Sequence, residues 1–401
     1  MTWGRAKLKY VARFAYGDAL PKDEDREGCV KVFGSNGVYD NYSQANTQAP
    51  AIIVGRKGSY GKVNWSDQPC FASDTTFFID ITTTHHHLRW LFYVLQTLNL
   101  DQGTDEAAVP GLNRDDAYAK QVFVPPLSEQ EAIARYLDQE TAKIDELIKL
   151  KKLLLELLDE KRRALITHAV TRGLNTDVLM CDSGVEWIGK IPKYWEVIKL
   201  RWCVLSLEQG WNPQADEKEP EEQEWGVLKL NAVKGGQFDD SKAKTIPISL
   251  EIPTALEIHP GDFLITRANT PELVGEVCYV QKTRPRLIIS GLIYRLKLNE
   301  SILNGQFLSY FLQTHLGRLQ IEADARGSSS SMVIISQSHI LDWLLLLPSL
   351  KEQKFIVDYI ETKLYKINAL KITTKHTIKF LEERRTALIT AAVTGQIKIK
   401  E

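Results

Sequence analysis

The side chains of this sequence that could carry out catalysis do not lie in a known catalytic arrangement. Residues 211–214 read Trp-Asn-Pro-Gln, which begins like the Asn-Pro-Pro-aromatic loop that holds a flipped base in amino methyltransferases. The second proline and the aromatic residue are missing. The sequence also lacks a Gly-x-x-x-x-Gly-Lys-Ser/Thr phosphate loop and an Asp with Glu-x-Lys nuclease pattern. We therefore predict that the chain is not an enzyme.

Metal ligands and paired cysteines are equally sparse. Three adjacent histidines, His85, His86 and His87, point in different directions at a predicted helix start, and no cysteine or carboxylate cluster joins them. The five cysteines are scattered and never spaced as Cys-x-x-Cys, as is typical of a reducing compartment. We expect no metal site, no cofactor and no disulfide framework.

The elements that would position any functional residue are arranged as a repeat. Residues 125–173 recur without a gap at residues 348–396, and about 20 of the 49 aligned positions are identical. A fixed internal period indicates two copies of one structural unit. Because a larger, dissimilar region precedes each copy, the order is variable region, repeated segment, variable region, repeated segment. This order predicts a pseudo-two-fold repeat.

Each repeated segment is predicted to be one long helix. Ser128 with Glu131, and Ser349 with Glu352, have the Ser-x-x-Glu spacing of a capping box. No proline or glycine interrupts the next 40 or so residues, which gives a helix of about 60 Å. Apolar residues recur at steps of three or four, or of seven as their sum, as in a coiled-coil seam. This seam comprises Ile133, Leu137, Ile144, Leu147, Leu154, Leu158 and Leu165, and in the second copy Ile356, Ile360, Ile367, Leu370, Leu381 and Leu388.

A helix of this length with one apolar stripe needs a partner, and the other copy is the simplest one. Antiparallel pairing would place the variable regions at opposite ends of the helical pair, and the tail after Gly395 close to Trp3. Two alternatives remain open. The helices could pack independently on their own domains, or they could pair in parallel, which would require a long return path.

Both variable regions are predicted to be mixed α/β. Strand-like runs separated by turn residues occur in each, and helices are predicted at residues 88–100 and 305–321. A strand followed by an arginine, Arg56 or Arg267, occurs in both regions, but the loops that follow differ. The predicted fold class is therefore α/β, with two α/β domains separated by two long helices that form an antiparallel coiled coil. The expected boundaries are 1–125 and 175–347 for the domains, and 126–174 and 348–401 for the helices.

The composition is ordinary for a protein in water, with 44% hydrophobic and 25% charged residues and a net charge of −1. No apolar run is long enough to span a bilayer, and no export signal follows Met1, so we expect no membrane association and a cytoplasmic location. The acidic run at residues 216–224 is typical of a solvated loop and would repel phosphate.

The sequence resembles the DNA-recognition (specificity) subunits of type I restriction–modification systems over essentially the whole chain. The marks are the Pro-x-Leu-x-Glu-Gln helix starts at residues 125 and 348, the Arg-x-Ala-Leu-Ile-Thr ends at 162–167 and 385–390, and the runs at 184–192 and 54–58. The resemblance implies two target-recognition domains that each read one half of a bipartite site in double-stranded DNA. It also implies two methyltransferase subunits as partners, with restriction or translocase subunits as an optional addition.

Residues that project from loops and can hydrogen-bond base edges are the candidates for DNA contact. In the first variable region they are Asn36, Arg56, Lys57, Ser59, Tyr60, Lys62, Asn113 and Arg114. In the second they are Lys229, Asn231, Arg267, Asn269, Thr270, Ser329 and Ser330. Any single one of these could instead be a solvated or turn-capping residue.

Polar positions that are identical between the helix copies predict two equivalent docking sites for two copies of one partner subunit. They are Glu129, Gln130, Arg162 and Thr167 in the first copy, and Glu352, Gln353, Arg385 and Thr390 in the second. Helix capping and helix-dipole effects are the alternative account of the Glu and Arg positions. At the level of the whole chain, the rival hypothesis is a non-catalytic coiled-coil scaffold that binds proteins rather than DNA.

Overall fold

A computed structural model of the chain describes residues 3–21, 28–102, 111–329 and 332–399, with only the backbone described for 326–329. The chain packs as two compact units. The first contains residues 1–154 and 373–401, and the second contains residues 155–372. Within the described ranges, no helix combines the length and the apolar run needed to cross a membrane.

Two long helices dominate the α-helical content, and shorter helices belong to the variable regions. The α-helices are α1 (Leu88–Gln96), α2 (Arg114–Ala119), α3 (Leu127–Arg172), α4 (Gly305–Leu312), α5 (His315–Asp324), α6 (Gln337–Asp342) and α7 (Leu350–Val393). Short 3-10 helices lie at Leu8–Tyr10, Leu200–Cys203, Leu230–Ala232 and Thr254–Leu256.

The strands are short and fall almost entirely in the two variable regions. Those of the first unit are β1 (Gly4–Lys7), β2 (Ala15–Tyr16), β3 (Val30–Gly34), β4 (Gly37–Tyr42), β5 (Ala51–Gly55), β6 (Val63–Ser66), β7 (Phe71–Ala72), β8 (Thr76–Ile79) and β9 (Gln121–Val124). Those of the second unit are β10 (Met180–Asp182), β11 (Lys190–Pro192), β12 (Glu196–Lys199), β13 (Val204–Gln209), β14 (Gly226–Leu228), β15 (Val233–Lys234), β16 (Gln237–Phe238), β17 (Ala243–Thr245), β18 (Asp262–Thr266), β19 (Ala268–Asn269), β20 (Val277–Tyr279), β21 (Leu287–Ile288), β22 (Ile293–Leu298), β23 (Arg326–Ser329), β24 (Met332–Ile334) and β25 (Leu344–Leu347).

Both units are built on the same sheet topology. The first unit has a four-stranded sheet in the order β2-β8-β5-β6, and the second has β13-β22-β18-β20 in the corresponding order. Each unit adds a three-stranded sheet, β4-β3-β7 or β17-β14-β21, in which one pair is antiparallel and the other parallel. Each also pairs an early strand with the strand that leads into a long helix, β1 with β9 and β12 with β25. The predicted pseudo-two-fold repeat therefore extends to the variable regions.

Contacts inside the first unit show that α3 and α7 run antiparallel. The start of α3 and the end of α7 meet at Trp3, whose indole Nε1 donates to Glu129 at 2.9 Å. A Cβ atom on Gly395 would lie 3.0 Å from the Trp3 ring. Further along both helices, Arg385 Nε donates to Asp145 at 2.9 Å. The prediction that the tail packs near Trp3 is confirmed.

The second unit repeats this arrangement with the helices exchanged. The start of α7 and the end of α3 meet at Trp195, which lies 3.3 Å from a Cβ atom on Gly173, while Glu352 Oε1 lies 3.4 Å from that Cβ. Further along, Lys371 forms an ion pair with Asp159. The predicted α/β class with an antiparallel helical pair is therefore confirmed.

The apolar seam differs from the prediction at one pair of equivalent positions. Leu147 and Leu370 are 47% and 46% exposed. Ile148, which follows Leu147, and Leu364, which lies one to two turns before Leu370, are buried. Positions 147 and 148 on α3 are both apolar, so the spacing in the sequence could not decide which of them faces the other helix. The structure places Leu147 on the flank of the helix and Ile148 in the seam.

Helix boundaries correct three further predictions. Helix α3 begins at Leu127, and the Gln130 N–H bonds to the Pro126 carbonyl, so Ser128 lies inside the first turn and does not cap it. Ser349 is placed as predicted, because its Oγ accepts the Glu352 N–H at 3.3 Å. The helix predicted at residues 88–100 ends at Gln96. The one predicted at 305–321 is two helices, because Thr314 caps the second.

Gln130 and Gln353 hold the start of each long helix against a short helix of the same unit. Gln130 Oε1 accepts the N–H of His87, the N-cap residue of α1, at 2.9 Å, and Gln353 Oε1 accepts the N–H of Asn304, the N-cap residue of α4, at 2.8 Å. Each amide Nε2 also donates to the proline carbonyl five residues earlier. Both side chains are buried, so we leave them out of the docking surface predicted from the sequence.

Replacing either glutamine with leucine is expected to lower the free energy of unfolding by about 2 kcal/mol, because the buried N–H and carbonyl groups lose their partners. Urea unfolding of Gln130→Leu and Gln353→Leu measures this. Gln139→Leu, at an exposed position of α3, is the matched control and should change stability by less than about 0.5 kcal/mol. Equal stability of all three variants would contradict the interior role.

Candidate nucleic-acid interface

The loop that follows β5 presents Arg56 from a fixed backbone. The Arg56 carbonyl accepts the N–H of Leu112 at 2.8 Å, and its guanidinium Nη2 donates to the carbonyl of Asp74 at 2.6 Å. The same guanidinium lies 5.8 Å from the ring centroid of Phe77 on β8. The side chain is thus half-buried and oriented by both an aromatic face and a carbonyl.

Arg267 occupies the corresponding place in the second unit. Its carbonyl accepts the N–H of Ile335 at 3.0 Å, its Nη1 donates to the carbonyl of Gly291 at 3.3 Å, and its guanidinium lies 5.8 Å from the ring of Tyr294 on β22. The register agrees as well. Each arginine comes two residues after the strand residue that pairs with its aromatic partner.

Both arginines keep an unused donor. The Nε atom of Arg56 and that of Arg267 are buried without a hydrogen-bond partner among the described residues. A buried donor left unpaired costs about 1–3 kcal/mol, so both units have the same unfavourable feature at the corresponding arginine.

A second guanidinium strengthens the positive charge in the first unit. Arg114 and Arg56 lie 5.0 and 5.2 Å from the ring centroid of Tyr16, a half-exposed residue that no sequence pattern singled out. The second unit begins its equivalent helix α6 with Gln337 instead. Asn113 and Ser336 cap α2 and α6 through their side-chain oxygens. Only contacts between residues distant in sequence reveal the Tyr16 cluster.

The other candidates of the first unit lie in a different cleft. Asn36, Ser59, Tyr60 and Lys62 line a cavity of about 690 Å³ together with Arg385. Lys62 Nζ donates to Asn36 Oδ1 at 2.7 Å. Lys57 lies on the side of Arg114, since its backbone forms a β-bridge with Gly111, three residues before Arg114. The eight candidates of this unit therefore form two groups.

The second unit has a comparable cleft with a different charge. Asn231 lines a cavity of about 560 Å³ with Arg162 and Lys234. Asn368 occupies the position of α7 that corresponds to Asp145, so among the described residues Arg162 lacks a carboxylate partner equivalent to that of Arg385. In the same cavity, hydrogen bonding from Lys371 lowers the pKa of Asp159. The equivalent arginines Arg162 and Arg385 therefore lie in different electrostatic surroundings.

The remaining candidates of the second unit fall into three situations. Asn269 belongs to β19, which joins β24 and β23 in one sheet, and its Oδ1 accepts the Thr270 N–H at 2.9 Å. Lys229 faces Glu217 at 3.4 Å, and Lys244 hydrogen-bonds the same carboxylate and lowers its pKa. Ser329 has only its backbone described, and Ser330 lies outside the described residues.

The identical polar residues on the long helices are largely engaged within their own units. Glu129 accepts from Trp3, and Glu352 accepts from the Tyr194 hydroxyl at 3.0 Å. The Thr390 hydroxyl donates to the carbonyl of Thr386, and the Thr167 carbonyl accepts from Thr171. All four keep part of their surface open to solvent.

Residues that resembled catalytic or metal-binding groups have internal partners. Asn212 Oδ1 accepts the N–H of Gly291 at 2.9 Å, so its amide serves a turn. His87 caps α1 through Nδ1, and His86 Nδ1 lies 3.0 Å from Gln130 Nε2. Burial lowers the pKa of His86. In the part of the chain that the structure describes, no three His, Cys, Asp or Glu side chains are grouped to hold a metal ion.

Comparison with known proteins gives a consistent result. Residues 1–157 match the family model described as the type I restriction modification DNA specificity domain. The chain is 32% identical over 173 residues to the specificity subunit of the type I restriction enzyme EcoEI from Escherichia coli. That alignment covers 43% of this chain and 29% of the relative. The resemblance drawn from the repeated helix ends is confirmed.

Two further similarities extend over most of the chain. The specificity subunit of the type I restriction enzyme MjaVIII from Methanocaldococcus jannaschii is 24% identical over 318 residues, which cover 78% of this chain and 70% of that relative. A solved structure concerned with complex assembly and conformational transition of the type I R-M system matches with a TM-score of 0.71 at 13% identity. It covers 99% of this chain and 98% of the other, so the two share a fold.

Proposed function

We propose that this chain is the DNA-recognition subunit of a type I restriction–modification complex, and that it reads a bipartite target. Residues 1–125 and 175–347 would be the two target-recognition domains, and 126–174 and 348–401 the long helices between and after them. The observation that carries this proposal is the equivalent placement of Arg56 and Arg267 on two copies of one sheet framework whose adjoining loops differ. A shared framework with different loops suits a module that reads two different half-sites.

Each arginine would contact the edge of a guanine in the major groove, where a guanidinium can donate to O6 and N7 together. In the first domain, Lys57, Asn113 and Arg114 would act beside Arg56, while Asn36, Ser59, Tyr60 and Lys62 would form a second contact group. In the second domain, Asn269 and Thr270 would act beside Arg267, with Lys229 and Asn231 as the second group. Ser329 and Ser330 remain proposed contacts on the sequence argument alone. Base contacts specify the sequence, and phosphate contacts fix the register.

The partners of the proposed complex are two methyltransferase subunits, with restriction or translocase subunits as an addition, and its compartment is the cytoplasm. Glu129, Arg162 and Thr167, with their counterparts Glu352, Arg385 and Thr390, are the helix residues we propose for docking. The chain itself would be non-catalytic, because the methyl transfer and any ATP-driven step belong to the partner subunits.

The rival hypothesis, a scaffold that binds only proteins, draws its support from the acidic run of the second unit. Glu217 in that run is tied to Lys229 and Lys244, and Glu221 to Lys218 at 2.7 Å, so part of its charge is internally neutralised. Because part of the acidic charge is paired, and because Arg56 and Arg267 are placed equivalently in both units, the DNA-binding proposal is the better supported of the two.

Electrophoretic shift of duplex DNA tests the proposal. The chain should bind a duplex containing its target, and the logarithm of the binding constant should fall linearly with the logarithm of salt concentration. With labelled methyl donor, the lone chain should transfer no methyl group, and added methyltransferase subunit should restore transfer. Absence of binding at low salt, or turnover by the lone chain, would reject the proposed function.

A further inference from the structure

An exposed aromatic side chain stands at the same place in both units. Tyr10 and Trp202 are 73% and 71% exposed. Each lies on the 3-10 helix that follows β1 or β12, three residues after the end of that strand. The residues around them correspond in order, because Lys7-Leu8-Lys9 matches Lys199-Leu200-Arg201.

Both aromatic side chains project from backbone that is fixed by hydrogen bonds. The buried Leu8 donates its N–H to the Lys120 carbonyl at 2.9 Å, and the buried Leu200 donates to the Trp343 carbonyl at 2.8 Å. These two carbonyls lie just beyond the last residues of α2 and α6. The exposed rings are therefore held in equivalent positions by equivalent hydrogen bonds.

The charge around the two rings is not equivalent. Lys9 Nζ lies 4.7 Å from the Tyr10 ring centroid, and neither Lys7 nor Lys9 forms an ion pair with a described residue. Lys199 and Arg201, by contrast, both bind the carboxylate of Asp342, at 2.8 and 2.6 Å.

The Lys199 ammonium, followed by Arg201, lowers the pKa of Asp342, which is therefore ionised at neutral pH. Both sites share the exposed aromatic face, but the two cations beside Trp202 are paired with a carboxylate and Lys9 beside Tyr10 lies against the ring. A DNA phosphate is bound best where unpaired cations are present at both sites, whereas an apolar pocket in a protein needs only the aromatic face.

The rings also lie apart from the recognition loops. Arg56 and Arg267 meet the amino ends of α2 and α6 through Leu112 and Ile335, while Tyr10 and Trp202 lie beside the carboxyl ends. Six helical residues separate these ends, a length of about 9 Å. Surfaces that read different half-sites should differ between the units, so a feature common to both suits a ligand that is the same at both.

We propose that Tyr10 and Trp202 are the anchors of two equivalent docking sites, each for one copy of the methyltransferase subunit. This inference rests on the proposed function. Each ring enters an apolar pocket on the partner, in the way that Trp and Tyr serve as central residues of protein interfaces. The neighbouring cation, Lys9 or Arg201, borders the pocket.

Native mass spectrometry and titration of the full chain with purified methyltransferase subunit test this. Wild type should bind two subunits. Tyr10→Ala and Trp202→Ala should each weaken one of the two binding events by about 30-fold or more, and the double variant should weaken both. Trp202→Tyr should retain two subunits, because a tyrosine is the proposed anchor at the equivalent position 10. Ile248→Ala, at a 98% exposed position without a counterpart, is the control and should also retain two.

The outcomes separate this inference from the proposed function. Binding of duplex DNA by the lone chain should be the same for all these variants. If the double variant binds two subunits as tightly as wild type, or loses DNA affinity while keeping both subunits, the docking assignment is overturned and the proposed function stands. If wild type binds neither subunit nor DNA, the proposed function falls and the docking assignment falls with it.

Discussion

Replacing Gly61 with alanine is expected to lower the free energy of unfolding by about 3 kcal/mol or more and to abolish reading of one half-site. Gly61 ends the loop that carries Arg56, and it has a φ of +77°. A Cβ atom there would lie 2.2 Å from the backbone nitrogen of Asp101 and 2.3 Å from the carbonyl carbon of Leu100. Because both obstacles are backbone atoms, the loop itself must move.

Gly58, in the same loop, is the matched control for this prediction. It has a φ of +71°, but a Cβ atom there would have no neighbour within 4 Å. Gly58→Ala therefore carries only the backbone cost of a left-handed residue, about 1 kcal/mol. Urea unfolding and half-site binding of both variants measure the difference. Similar losses for the two variants would show that the close approach of Gly61 to Leu100 and Asp101 does not hold the loop.

Replacing Arg56 with alanine should weaken binding through one half-site only, by about 1–3 kcal/mol, which is about 5- to 150-fold. Arg267→Ala should do the same for the other half-site. Both side chains contact a carbonyl and an aromatic ring, and the Nε atom of each is buried without a hydrogen-bond partner in the described part of the chain. Titrations with duplexes altered in one half at a time measure the effect.

The control for the arginine pair is Arg135→Ala, at an exposed position of α3, which should leave both half-sites unchanged. Equal loss at both half-sites from either Arg56→Ala or Arg267→Ala would mean that these arginines contribute to folding or contact phosphate. It would remove the assignment of one arginine to each half-site.

The long helices could be predicted from the sequence because their evidence is local and repeated, and antiparallel pairing is the favoured arrangement among three. Each repeated segment contains an uninterrupted run of helix-forming residues with a 3-4 apolar pattern, which is enough to predict a helix. Only the element that packs against its apolar face has to be inferred. The seam could not be resolved between Leu147 and Ile148, since both are apolar and only packing selects one. The break at Thr314 also escaped prediction, because its hydroxyl caps a helix inside an otherwise continuous helical pattern.

The candidate site was only partly accessible from sequence. Arg56 and Arg267 could be chosen because each follows a strand, but their aromatic partners come from strands elsewhere in the chain. Tyr16, which contacts Arg56 and Arg114, could not be selected for the same reason. The sequence could not show that Gln130 and Gln353 are buried, because a residue that is identical in both copies can be either buried or part of a docking surface. The correspondence of Tyr10 with Trp202 was available from the neighbouring Lys-Leu-Lys and Lys-Leu-Arg runs.

Selection of bound sequences from a library of random duplexes tests the central claim most directly, namely that one chain reads two separate half-sites. The wild-type chain, with its methyltransferase subunits, should enrich duplexes with two blocks of specified bases separated by unspecified base pairs. Arg56→Ala should relax one block and Arg267→Ala the other. A single contiguous block, or no enrichment over the starting library, would contradict the account.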